Sequence, residues 1–402
     1  MNRARLGLAA LTATLATVPP GTAAAGQAAG APAVPPPPAA YRLLVGAESE
    51  DQVALIEFRP CPGAPCGARV LRTYEVGLWA TEIEGPHGVV AAPDGRSFYV
   101  TLAHGRPNGW LQQYDLDTGR RLGQVELGMF PATVDLGPGG LVYVINFNFE
   151  DPDMKPSGLS VVAGDPLFEV ARLTTCRMPH GSRLSPDGSR HYSGCMMDDR
   201  LVEVDTRRLA VSREFSLVPG REGPLTPGPE DRARHPAHGP APSSGCSPTW
   251  AQPSADGRAV YVACNRANEI VEIDVGAWRI TRRWTTPRAP YNLAVTPDGT
   301  LLLATQKGPG TTTVWRLADA RLLAEIPGTR GLASGVAVSR DSRYAFVTLE
   351  GVGGEPGTVD VIDLVTLAKV ASVDVGKQAG GIAEVPLPAP PPPPGAPPHR
   401  DR

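Results

Sequence analysis

The chain has 402 residues, 42% of them apolar and 20% charged, which is enough apolar material for a core and too little charge for a disordered polyelectrolyte. Its formal net charge is -3 and its Lys and Arg residues are scattered, so no basic stripe supports a nucleic-acid partner. With 45 Gly and 44 Pro, the composition suits many short strands joined by tight turns and argues against long helices.

The chain opens with Arg3 and Arg5, an apolar run from Leu6 to Val18, and the small-residue site Ala23-Ala24-Ala25. This order predicts a secretory signal peptide over residues 1–25 and an exported protein, periplasmic or secreted. The apolar run is about 13 residues, short of the roughly 20 a spanning helix needs, and no later segment is longer, so no membrane span is expected. Residues 26–40 read as a Pro/Ala-rich linker and 387–402 as a Pro-rich disordered tail, since neither can bury a core.

From residue 41 the pattern becomes periodic. "YRLLVGA" (41–47), "QVALIEF" (52–58) and "VLRTYEV" (70–76) read as three strands of a unit that lacks its first strand. Six turns follow, at Pro93-Asp94-Gly95, Pro138-Gly139-Gly140, Pro186-Asp187-Gly188, Ala255-Asp256-Gly257, Pro297-Asp298-Gly299 and Arg340-Asp341-Ser342, spaced by 45, 48, 69, 42 and 43 residues. Each leads into a β-rich run, such as "SFYVT" (97–101), "LVYVIN" (141–146), "AVYVAC" (259–264) or "YAFVTL" (344–349), and two more runs complete the unit. Four strands in about 43 residues is the period of a propeller blade. The spacing of 69 contains the Gly/Pro-rich stretch 218–245, expected as a loop between blades four and five, with His235 and His238 as solvated loop residues. "GGIAEVP" (380–386) supplies the missing first strand of blade one. The expectation is an all-β, seven-bladed propeller of four-stranded blades over residues 41–386, closed by its C-terminal strand and monomeric.

"FYVT", "VYVIN" and "VYVACN" after Asp-Gly turns, with "DLDTG" closing a third strand, resemble the YVTN repeat of bacterial seven-bladed propellers, a family that includes surface-layer-associated proteins. The resemblance covers residues 41–386 and implies the fold; the family's roles are varied, so it does not imply one activity. No unit spells Tyr-Val-Thr-Asn in full, and Leu102 stands where blade two would carry the asparagine.

Six cysteines in an exported chain suggest disulfides. In an antiparallel pair the start of one strand lies beside the end of the next, which predicts Cys176–Cys195 in blade four and Cys246–Cys264 in blade five. Cys61 and Cys66, in "CPGAPC", would clip a hairpin loop of blade one. The rival reading of Cys61 and Cys66 is zinc binding, which lacks a second Cys or His pair at matching spacing.

"PHG" occurs at 86–88 and again at 179–181. His87 and His180 thus enter their first strands at equivalent positions, as do Thr249 and Tyr291, and all four are expected to ring one mouth of the central channel. Trp250, Asn292, Arg177, Asn146 and Asn265 are expected around the same mouth, with Trp79, Glu82, Arg266, Gln306 and Lys307, as a pocket for a small molecule or peptide. The histidines also admit a purely structural role, packing between blades and bonding carbonyls. His104 and His191 read as surface residues. Asp115, Asp205, Asp274 and Asp363 recur near the ends of third strands, as turn caps do.

Three functions are compatible with this pattern. Gly-x-Ser-x-Gly, Walker A and His-Glu-x-x-His motifs are absent, which favours a non-enzymatic exported propeller, without a cofactor, that presents its channel mouth to an envelope or extracellular protein or to a small molecule. A lactonase-like hydrolase would hold one divalent metal ion on the axis, with Glu82, Asn146 and Asn265 the nearest candidates. A copper or other transition-metal protein would use His87 and His180, helped by Met178, Met196 or Met197, although two blades separate the two histidines in the ring.

Overall fold

The computed structural model describes residues 40–61, 66–104, 108–225 and 245–386; the predicted signal peptide (1–25), nearly all of the linker (26–40), most of the 218–245 insertion and the tail (387–402) lie outside the described residues. Seven antiparallel sheets form the ring. The inner strands of blades two to seven are Pro86–Ala91, Pro131–Leu136, Pro179–Leu184, Pro248–Pro253, Pro290–Val295 and Ala333–Val338. Blade one runs outward from Ala379–Val385 through Tyr41–Ala47 and Gln52–Arg59 to Gly67–Glu75. Val45 pairs with Ile382 and Arg42 with Val385, so the last strand does complete the first sheet. No helix among the described residues is long and apolar enough to cross a membrane.

Burial follows strand order. Val142–Asn146, a second strand, is buried throughout, because both of its faces meet neighbouring blades. Phe168–Cys176, a fourth strand on the rim, alternates between exposed and partly buried residues as far as Thr175 and buries only Cys176. The core is accordingly a series of inter-blade layers, such as Tyr41, Phe58, Tyr344 and Phe346 between blades seven and one, with ring centroids 5.0–6.0 Å apart.

The recurring threonine has a structural cause. Thr101 Oγ1 accepts from the Gly88 amide at 2.8 Å and donates to the Ala132 carbonyl of the next blade at 3.0 Å. Thr305 and Thr348 repeat this, taking the Asn292 and Gly335 amides and donating to the Ser334 and Gly380 carbonyls at 2.7 Å. One hydroxyl thereby satisfies two buried backbone groups and ties each inner strand to its neighbour. The third-strand aspartates cap turns: Asp205 accepts from the Arg207 and Arg208 amides, and Asp363 from those of Val365 and Thr366.

Blade four differs from the expected four strands. Gly223–Leu225, at the start of the predicted loop, pairs with Ala210–Ser216 as a fifth, outermost strand, and the neighbouring Glu222 reaches Arg283 of blade five at 2.8 Å. Its Gly-Pro-Leu sequence carries no alternation from which a strand could be read.

Cys176–Cys195 and Cys246–Cys264 are bonded, with Cα atoms 6.0 and 4.5 Å apart. Cys61 and Cys66, the third predicted pair, face one another with Sγ atoms 2.6 Å apart.

Glu384 of the closing strand is mostly buried, and burial pushes its carboxyl up to about 7 despite Arg340, whose amide it accepts at 3.1 Å. Because the folded value is raised above the ordinary 4.5, this group costs stability only once ionised. Its contribution is therefore complete in acid and lost as pH rises through about 7. Glu384→Gln should melt several degrees above the wild type at pH 8.5 and alongside it near pH 4.5; equal melting at both pH values would refute the assignment.

Candidate functional site

Each inner strand is the axial edge of its sheet, where proline is tolerated because no neighbour requires its missing N–H. Five of the seven begin with proline, and the ladder then skips: in blade two it breaks between Pro86 and Val89, in blade four between Pro179 and Ser182, in blade six between Pro290 and Leu293. These bulges release the second and third residues of each strand from the ladder. Such residues line one axial cavity of about 280 Å³: His87 and Gly88, Thr133, His180, Trp250, Tyr291 and Asn292, Ser334 and Gly335, Gly380 and Gly381. The glycine of "PHG" is required by close approach, since a Cβ on Gly88 would stand 2.2 Å from the Ala132 carbonyl oxygen and one on Gly181 equally close to that of Thr249.

A second tier of the wall comes from residues just beyond the second strands: Glu48, His104, Phe147, Phe149, Met196, Lys307 and Glu350. Phe130 completes an aromatic side, with Phe147 5.4 Å and Phe149 6.0 Å from it.

The two histidines of the repeated phrase meet across the axis. Their ring centroids are 5.8 Å apart with perpendicular planes, closer than their places on blades two and four suggested. His180 is held on both nitrogens: Nδ1 donates to the Thr249 carbonyl at 3.0 Å, leaving Nε2 to accept from the Tyr291 hydroxyl at 3.1 Å. Burial, and then His87, push His180 down to about 3, so the ring is neutral. Burial also lowers His87, partly offset by Glu48. His87 packs edge-on to Phe130 at 5.4 Å, and its nitrogens have no hydrogen-bond partner among the described residues.

Charged groups in the wall are paired. His104 Nε2 lies 2.8 Å from Glu48 and Nδ1 3.2 Å from Glu150; the Glu48 hydrogen bond raises the imidazole against the cost of its burial. Burial opposes the Glu48 carboxylate, but the neighbouring imidazoles and Lys307 outweigh it and hold the group low. Gln378 Nε2 donates to the same carboxylate at 3.0 Å. Lys307 Nζ sits 2.7 Å from Glu350 and 4.2 Å from the Tyr291 ring centroid. Burial raises Tyr291, keeping its hydroxyl a donor.

Of the residues expected at the mouth, His87, His180, Trp250, Tyr291, Asn292 and Lys307 converge on the cavity. Others do not. Arg177 is buried against Asp198 at 2.7 Å; Asn146 accepts from the Gly128 amide and donates to Ser160; Asn265 donates to the Pro290 carbonyl; Trp79 is 64% exposed. Asn146 and Gln306 end their second strands, and the wall is built by the residue after each, Phe147 and Lys307. That one-residue offset, which Lys307 already followed, also marks Phe147, Glu48 and Glu350, which sequence reasoning missed. His104 and His191, expected at the surface, are inside: His104 in the wall, His191 fully buried against Tyr143 at 5.9 Å.

Among the described residues no group of three or more His, Cys, Asp or Glu side chains is arranged to hold a metal. His180 has both nitrogens engaged, and Glu82, Asn146 and Asn265 lie outside the cavity lining, so neither metal set read from the sequence fits as arranged.

No protein-family model and no curated protein matches the chain. Solved structures do resemble it. The periplasmic gluconolactonase PpgL of Pseudomonas aeruginosa is 20% identical at a TM-score of 0.63, over 87% of this chain and 100% of that one. A putative 6-phosphogluconolactonase from Bacteroides fragilis is 14% identical at 0.62, over 87% and 98%, and Kuenenia stuttgartiensis hydrazine synthase is 19% identical at 0.56, over 73% and 88%. At these identities the likeness establishes the fold, a seven-bladed β-propeller with neighbours of the lactonase type.

Proposed function

We propose that this is an exported propeller whose axial cavity binds one small molecule. The cavity itself carries the reading: about 280 Å³ lies just below the range of ligand pockets, about 300 to 1,000 Å³, and its wall sets an aromatic side against hydrogen-bonding groups. A space of this size suits a small molecule better than a polypeptide segment. Two disulfides accord with an oxidising compartment.

A second reading, lactone hydrolysis, is favoured by the neutral, unpartnered His87 imidazole and by the lactonases among the similar structures. In that reading His87 takes a proton from water, whose oxygen bonds to the lactone carbonyl carbon. The Lys307 ammonium, which keeps further N–H donors beside its bond to Glu350, would stabilise the carbonyl oxygen as it becomes an oxyanion. The ring C–O bond then breaks, and the departing ring oxygen receives the proton from His87, giving the open hydroxy acid. The test is acid release from aldono-lactones measured against the spontaneous rate, alongside equilibrium dialysis of the same ring compounds. Release well above background supports hydrolysis; binding without release supports binding alone; the absence of both release and binding at millimolar ligand refutes the cavity as a ligand site.

A further inference from the structure

Three basic side chains border the cavity, and each already has an anionic neighbour. Lys307 Nζ is 2.7 Å from Glu350. Arg183 lies 4.6 Å over Trp250, donates to the Ser182 carbonyl and stands 3.9 Å from Asp135. His104 is held between Glu48 and Glu150. A phosphate group brings about two negative charges. Here it would meet Glu48 and Glu350 with no uncommitted cation among the described lining residues, and burying it would leave charge uncompensated.

Neutral hydrogen-bonding capacity, by contrast, remains. His87 has unpartnered ring nitrogens, and two further wall residues carry buried polar atoms without a partner: the donor Trp250 Nε1 and the acceptor Asn292 Oδ1. Buried polar atoms are rarely left so, and ring hydroxyls both donate and accept. Phe147 and Trp250 line the same cavity and offer apolar surface to the C–H groups of such a ring.

We infer that the cavity discriminates by charge, accepting an uncharged, hydroxyl-bearing ring and rejecting its phosphorylated counterpart, with the Lys307–Glu350 pair as the discriminating element. The inference rests on the ligand-site reading above, whether or not the ligand is hydrolysed. It is tested by calorimetric titration of the full chain with 1,5-anhydroglucitol and its 6-phosphate. The wild type should bind the uncharged ring at least about tenfold more tightly. Glu350→Gln releases Lys307 and should narrow that gap by at least about threefold, whereas Glu350→Gln combined with Lys307→Gln should restore it. Equal or tighter binding of the phosphate by the wild type overturns the charge selection and leaves the ligand site standing. An unchanged gap in a folded Glu350→Gln variant overturns the role of the pair. Binding of neither ring at millimolar concentration overturns the ligand-site reading, and this inference with it.

Discussion

A chain ending at Gly376 should fail to melt cooperatively. That truncation removes the inner strand of blade one, leaving Tyr41–Ala47 as an unpaired edge beside the axis. Ile382 and Val385 are buried and together represent about 3 to 6 kcal/mol of apolar burial, against a typical domain stability of about 5 to 15 kcal/mol. The Thr348–Gly380 bond between blades seven and one and the Gln378–Glu48 bond at the cavity are lost as well. A chain ending at Pro386 keeps the strand and serves as the control. Thermal melts by circular dichroism decide the matter: a transition of the shorter chain matching the control would mean that the ring does not depend on its final strand.

His87→Gln should lower lactone turnover by about 10²- to 10⁴-fold, the usual contribution of a general base, with KM little changed. Glutamine keeps a polar side chain against Phe130 and His180 but cannot accept a proton. The pH profile gives an independent check. The base must be neutral, and burial holds His87 below the ordinary 6.5, so the acid limb of kcat/KM should fall below that value and vanish in the variant. A parallel loss of affinity and rate would make His87 a binding residue only, and unchanged turnover would remove it from the chemistry.

The propeller was legible because a repeated unit repeats its turn chemistry: the Asp-Gly turns, the β-rich runs after them and the strand left over at 380–386 are all local features. Both formed disulfides were legible for the same reason, since Cys176 and Cys246 each stand two or three residues before the inner strand of successive repeats, although the structure makes Cys176 the last residue of blade three's fourth strand. His87, His180 and Tyr291 could be placed at the axis because inner-strand position is inherited from the repeat. Asn146 was misplaced because its position in the motif names the end of the strand, whereas the cavity wall is the next residue.

Sequence periodicity thus determined the number of blades and which strand faces the axis, which are properties of the repeated unit, and the strand left over at 380–386 pointed to the closure. Only the tertiary structure decided the distances across the ring. Glu48 meets His104 and Gln378, 56 and 330 residues away, and His87 meets His180 through a common center, because bulges turn second-position side chains inward wherever the circle narrows. Charge pairing followed from that same convergence: Lys307 with Glu350, and His104 between two carboxylates, are contacts between different blades, on which no single repeat carries information.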